Sequence, residues 1–169
     1  VDALVNNAGY GLPGTFFSTT WEDQSAFLQV LYTAPIELAH RLLPGMAARK
    51  KGRIINISSA SAWHYDEMCH LSIYAATKAA VERFTRDLRQ ELQIDGIGVT
   101  CIRPGGAWTS FADSWDKGAT EAGIAAWKDV GAYMATGMEV THVSEAVRFC
   151  LSQPPGVAVD LLEIRPNIP

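Results

Sequence analysis

Arg53-Ile54-Ile55-Asn56-Ile57-Ser58 is a short isoleucine-rich run, of the length and composition of a strand, and it stops in a serine pair with Ser59. On its N-terminal side, Trp21 to about Met46 carries Phe27, Leu28, Leu31, Ala34, Leu38, Leu42 and Leu43 close to a helical period. Ser18, Thr19 or Thr20 can cap that helix, and Pro35 inside it should bend it or weaken one turn. Further out, Val1 to Asn6 is an apolar run entering Asn6-Asn7-Ala8-Gly9, which suits a buried parallel strand meeting a turn.

On the C-terminal side, a loop rich in Ser, Trp, His and acidic residues leads to a helix from about Ser72 to Leu92. Gly96 and Gly98 punctuate the turn into a strand, Val99 to Arg103, which Pro104-Gly105-Gly106 ends abruptly. Helix is expected around Ser114 to Met134, then a short helix capped by Ser144 and running through Leu151, then a last strand, Leu161 to Ile164. Strands separated by helices imply βαβ crossovers, hence an α/β fold with a doubly wound, Rossmann-like parallel sheet.

With 169 residues, the chain is one domain's worth and can bury a core. Apolar residues at 48% and charged residues at 19% give an ordinary globular balance without a disorder signature. The net charge is −4 and the basic residues are scattered, which argues against a nucleic-acid or acidic-membrane surface; Arg49-Lys50-Lys51 reads as a solvated helix end. No apolar run reaches the length of a membrane span, and no secretory leader is expected. Cys69, Cys101 and Cys150 are odd in number and far apart, so a reducing cytoplasm is the expected compartment. His40, His64, His70 and His142 lack ligand spacing, so no metal site is expected.

Chemistry enters at Tyr74 and Lys78 in S-I-Y-A-A-T-K-A-A. Four residues apart on a helix, they share a face and can address one ligand. An ammonium beside a phenol favours phenolate, which suits an acid/base group working near neutrality. A Tyr-x-x-x-Lys alone arises easily by chance, but here it follows a strand ending in Ser58-Ser59, on a helix rich in alanine. Ligands of open parallel sheets bind beyond the carboxyl ends of the strands. Asn6-Asn7-Ala8-Gly9, Ser58-Ser59 and Pro104-Gly105-Gly106 all fall at such ends and converge on one crevice.

The stretches V-D-A-L-V-N-N-A-G, G-R-I-I-N-I-S-S, Y-A-A-T-K-A-A and I-R-P-G-G-A-W-T, taken in order, resemble the short-chain dehydrogenase/reductase family nearly end to end. The C-terminal S-E-A-V-R-F-C-L-S-Q-P-P-G and L-L-E-I-R-P look like its hydroxy-acid and serine dehydrogenase branch. The resemblance implies an oxidoreductase moving hydride between NAD(P) and a small alcohol or carbonyl. Tyr74 would exchange the proton with the substrate oxygen, and Lys78 would hold the nicotinamide ribose and depress the Tyr74 pKa. Asn7, Ala8 and Gly9 would line the ribose side of the cofactor. Pro104, Gly105, Ala107 and Thr109 would frame the nicotinamide. For the serine that polarises the substrate oxygen, the strand end selects Ser59, whereas the family's spacing from the tyrosine selects Ser61; the strand end is the anchor preferred, because loops accept insertions.

Two departures from the family pattern bear on activity. Where the family commonly has an asparagine supporting a water-linked relay to the lysine, counting back from Pro44 finds Leu31. The family's glycine-rich phosphate turn has no match, and the residues that choose between NAD and NADP lie with it; NADP is slightly favoured. Since Val1 opens directly on a strand, residues 1–169 are expected to be a single partial NAD(P)-binding Rossmann domain carrying the catalytic site. Its bare sheet edge is expected to make this polypeptide poorly soluble and without turnover on its own, whereas the full-length parent is expected to be active. A homodimer or homotetramer built on helices 21–46 and 72–92 is the implied assembly. Trp63, Trp108 and Trp115 fall in loops that would cover the substrate, and substrate choice should reside between Phe111 and Met138. The competing reading is a dinucleotide-binding or scaffold relative that kept the fold and lost catalysis.

Overall fold

The computed structural model describes residues 1–64, 68–113, 115–127 and 136–167. Strands β1 (Ala3–Asn6), β2 (Gly52–Ile57), β3 (Ile97–Pro104) and β4 (Leu161–Ile164) form one sheet in the order β1-β2-β3-β4, every pairing parallel. Helices α1 (Trp21–Leu28), α2 (Ala34–Ala48), α3 (Ser72–Leu92), α4 (Lys117–Ala126) and α5 (Val140–Leu151) fill the connections.

The alternation of side chains along the central strands explains why both faces are covered. Ile54 and Val99 point to one face, where they pack with Ala39 and Met46 of α2 and Leu88 of α3. Ile55, Ile57 and Ile102 point to the other, against Ala146 and Cys150 of α5. The sheet is therefore doubly wound, as its sequence pattern implies. Gly52 permits the closest approach at the base, since a β-carbon there would lie 2.6 Å from the Met46 sulfur. Among the described residues, no helix is long and apolar enough to cross a membrane.

Sequence and structure part at two helices. The long helix begins at Trp21, with the Thr20 hydroxyl accepting from the Asp23 amide, but it is interrupted by a π-helical turn over Gln29–Thr33. Pro35 has no N–H to donate to the carbonyl four residues back, and the wider turn accommodates that loss, with the Ala34 amide bonding to the Gln29 carbonyl. Ser144 is not a cap. The helix starts at Val140 after extended Glu139, and the Ser144 hydroxyl donates back to the Val140 carbonyl at 3.2 Å. The expected helix around Ser114 to Met134 is observed as α4 alone; Ser114 and residues 128–135 lie outside the described residues.

Candidate active site

The carboxyl ends of β1, β2 and β3 deliver their turns to one side of the sheet, and the first two turns of α3 face them. Ser59 leaves β2 in an extended conformation and starts a single 3₁₀ turn, Ala60–Ala62. Its hydroxyl accepts from the Ser61 amide at 3.2 Å and the Ser61 hydroxyl at 2.9 Å, and it also hydrogen-bonds the Tyr74 phenol. Ser59 is thus the serine next to Tyr74, while buried Ser61 stands one bond behind it.

Lys78 is buried, and its Nζ donates to the Ile57 carbonyl at 2.9 Å and sits 5.7 Å from the centroid of the Tyr74 ring. Burial pulls the Lys78 ammonium from its usual 10.5 down to about 8. Tyr74 departs from expectation. Burial pushes its phenol up, and the Ser59 hydrogen bond only partly opposes this, so a depressed tyrosine is not observed in the protein by itself. An ammonium has three donors, and among the described residues Lys78 has one acceptor. That donor set fits a polyhydroxyl ligand such as a ribose.

The residues expected on the cofactor side follow the carboxyl ends of β1 and β3. Asn7, Ala8 and Gly9 are exposed beyond β1. A β-carbon at Gly9 would lie 2.6 Å from a Leu31 methyl, so buried Leu31 packs directly beneath this turn. Past β3, the Gly105 amide bonds to the Ile164 carbonyl at 2.8 Å, and Ala107 bridges to Met138. The Thr109 hydroxyl accepts from the Phe111 amide at 3.1 Å and starts a 3₁₀ turn. These bonds hold Pro104, Gly105, Ala107 and Thr109 in a fixed frame beside the serine and tyrosine.

A charge network beneath the site went unread in the sequence. Arg103, at the end of β3, is buried and forks onto Glu82 of α3, with Nε to Oε1 at 2.8 Å, while its Nη1 reaches Glu163 of β4 at 2.9 Å. Ser58 donates to the same Glu82 at 2.7 Å. His64 and Arg165 each meet the other Glu163 oxygen at 2.7 Å. Hydrogen bonding to Glu82, chiefly, drives the Arg103 pKa higher still. Burial would raise the Glu163 carboxyl, but bonds from His64 and Arg103 outweigh it and the net shift is downward. Glu82 lies four residues beyond Lys78 on one helix face, the only sequence signal that could have pointed to it.

Rings cover the other side of Tyr74. Tyr10 meets Phe27 edge-on with centroids at 5.2 Å, Phe27 meets Tyr74 at 6.3 Å, and Tyr74 meets Phe111 at 5.6 Å. Phe111 continues to Trp115 at 5.5 Å, and Trp115 to Trp127 at 6.5 Å. A β-carbon at Gly11 would fall 2.4 Å from the Trp115 ring, so only glycine lets that indole settle over the β1 turn. Of the three loop tryptophans, Trp115 joins this row, whereas Trp63 lies over the Arg103 guanidinium at 5.9 Å and Trp108 packs on Gly137. Among the described residues, no cluster of His, Cys, Asp or Glu is placed to hold a metal.

A parallel, doubly wound sheet with a serine past a strand end and a Tyr and Lys one turn apart on the helix that faces it defines a class, and comparison with known proteins agrees. Residues 1–120 match the family described as short chain dehydrogenase, and the chain belongs to that family. Serine 3-dehydrogenase of Rhizobium radiobacter is 32% identical over 168 residues, which cover 98% of this chain and 64% of that protein. The NADP-dependent 3-hydroxy acid dehydrogenase of Salmonella typhi is 31% identical, over 98% of this chain and 65% of its own length. A closed form of serine dehydrogenase complexed with NADP+ superposes with a TM-score of 0.80 at 31% identity, covering 98% of this chain and 65% of that one. The likeness therefore extends to the serine and hydroxy-acid branch, and the chain spans slightly under two thirds of these relatives' length.

Proposed function

We propose that residues 1–169 belong to one NAD(P)-binding domain of an oxidoreductase that interconverts an alcohol and a carbonyl, with Tyr74 as general acid/base. A bound nicotinamide dinucleotide supplies the hydride acceptor or donor. The observation that carries this reading is the meeting of Ser59, Tyr74 and Lys78 in one partly buried corner. Tyr74 gives its proton to the substrate oxygen in reduction and takes it back in oxidation. The Ser59 hydroxyl, already directed to that phenol, hydrogen-bonds the same oxygen and holds it within reach. Lys78 donates to the ribose hydroxyls with the N–H groups not used by Ile57, and its charge beside the ring favours phenolate as the site closes.

Asn7, Ala8 and Gly9 line the ribose, while Pro104, Gly105, Ala107 and Thr109 frame the nicotinamide. NADP is favoured over NAD, because NADP is the cofactor in the names of the hydroxy-acid relative and of the serine dehydrogenase complex. Assembly into a homodimer or homotetramer is part of the same reading.

One observation favours a second reading, cofactor binding without turnover. Leu31, buried against Gly9, offers no polar side chain for a water relay to Lys78. The test is nicotinamide absorbance in the full-length protein, with hydroxy acids, alcohols and carbonyls and with both cofactors. Tyr74→Phe should lower turnover by about a thousandfold while leaving cofactor affinity within a few-fold. Tight cofactor binding with no turnover of any substrate would establish the second reading instead.

A further inference from the structure

We propose that the substrate is an uncharged alcohol or ketone carrying an aromatic or alicyclic ring, rather than a hydroxy acid; this rests on the hydride-transfer reading above. Around Tyr74 runs one continuous row of rings, Tyr10, Phe27, Tyr74, Phe111, Trp115 and Trp127, contributed by the β1 turn, α1, α3, the loop after β3 and the end of α4. Phe27 and Phe111 flank the tyrosine that touches the reacting oxygen; Phe27 is fully buried, so the partly exposed Phe111 is the ring left to border the carbon skeleton bonded to that oxygen. The small cavity beside Tyr74 is lined by Leu12 and Phe16 together with the polar side chains of Gln24, His70 and Ser72. Edge and face contacts of this kind accept a flat or cyclic group with little loss of conformational freedom.

The charges point the same way. A carboxylate in a ring-lined site needs a cation close by. Of the cations at the strand ends, Arg103 is held by Glu82 and Glu163, Arg165 meets Glu163, and Lys78 lies behind the Tyr74 ring on the Ile57 carbonyl. Lys117 is exposed at the start of α4. His70 lines the cavity beside Tyr74. The loop that brings Phe111 and Trp115 also carries the exposed carboxylates Asp113 and Asp116, which add negative rather than positive charge to that segment. The buried Trp115 indole N–H has no partner among the described residues, and a single neutral acceptor on the ring substrate would satisfy it.

The experiment pairs substrates with one reacting group, a ketone, in the full-length protein with NADPH and NADH. The probes are acetophenone, which is neutral with a ring; ethyl acetoacetate, neutral without one; and acetoacetate, which is charged. The expected order of kcat/KM is acetophenone, then ester, then acid, with the first exceeding the last by more than about a hundredfold. Phe111→Leu, which keeps apolar volume, should lower kcat/KM for acetophenone severalfold through KM and leave the ester nearly unchanged. Acetoacetate or serine turned over as well as acetophenone would overturn the proposal while leaving hydride transfer intact. If no ketone is reduced with either cofactor, hydride transfer fails and calorimetry decides the ring site separately. Saturable binding of acetophenone but not acetoacetate upholds it, and its absence overturns it.

Discussion

Beneath Tyr74, α3 is fastened to the sheet by directed bonds between charges, from Glu82 through Arg103 to Glu163; above it, the wall consists of rings touching at 5.2 to 6.5 Å. The two regions solve different problems. A forked guanidinium bond tolerates little displacement, so it can fix the height of Lys78 and Tyr74 over the strand ends. Ring contacts are only weakly directional, so a wall of them can shift to admit a ligand without breaking any one essential bond. Precision therefore belongs to the floor, on which the proposed acid/base geometry rests. Adaptability belongs to the wall, which is proposed to meet the substrate.

The largest effect should come from breaking the floor. Glu82→Gln leaves Arg103 buried with only Glu163 to offset it, and should destabilise the full-length protein by about 3 kcal/mol in denaturant unfolding. The double variant Glu82→Met with Arg103→Met removes both charges and should recover most of that loss. No recovery would mean that the network contributes net stability rather than positioning alone.

Lys78 offers a smaller and pH-dependent test. Its folded pKa, about 8, lies below the usual 10.5, so the folded state binds this proton more weakly than the unfolded one. Below about pH 8 the full penalty of burying the ammonium weighs on the fold, and it fades as pH rises from there toward 10.5. Lys78→Met should accordingly stabilise the cofactor-free protein by ~1–3 kcal/mol at pH 7, an advantage that shrinks across that window, while abolishing activity. Nearby Cys101, pushed from 9.0 up to about 12 by burial, takes stability away as pH rises above 9.0 in parent and variant alike, so the Lys78 window is read from the difference between the two proteins. A destabilised variant at pH 7 would show that the Ile57 hydrogen bond outweighs burial.

These tests also separate what sequence could reveal from what it could not. Strand β2, helix α3 and strand β4 were legible within a residue because their apolar side chains follow one period and their ends carry Ser, Gly or Pro. Ser59, Tyr74 and Lys78 were legible because chemistry and element ends coincide. The Arg103 network was not, since its members stand 21 and 60 residues apart and each is an ordinary charge until the sheet brings them together. Ser144 misled for a local reason, because a serine that caps a helix and one that bonds back within it look alike in sequence. The π turn was half visible. Pro35 announced an irregularity, but the turn forms ahead of it, where the missing N–H is felt.

The smallest expected effect lies in the wall, at Trp127. Its ring packs edge-on to Trp115, and its indole N–H donates to the Cys69 carbonyl at 2.7 Å, tying the end of α4 to the segment that leads into α3. Trp127→Phe keeps an aromatic ring and deletes that one bond, so stability should fall by about 1 kcal/mol. If the wall only shapes the substrate side, KM should rise severalfold while kcat stays within about twofold. A fall in kcat deeper than the rise in KM would erase the distinction between floor and wall, because it would mean that the rings, too, hold Tyr74 in place.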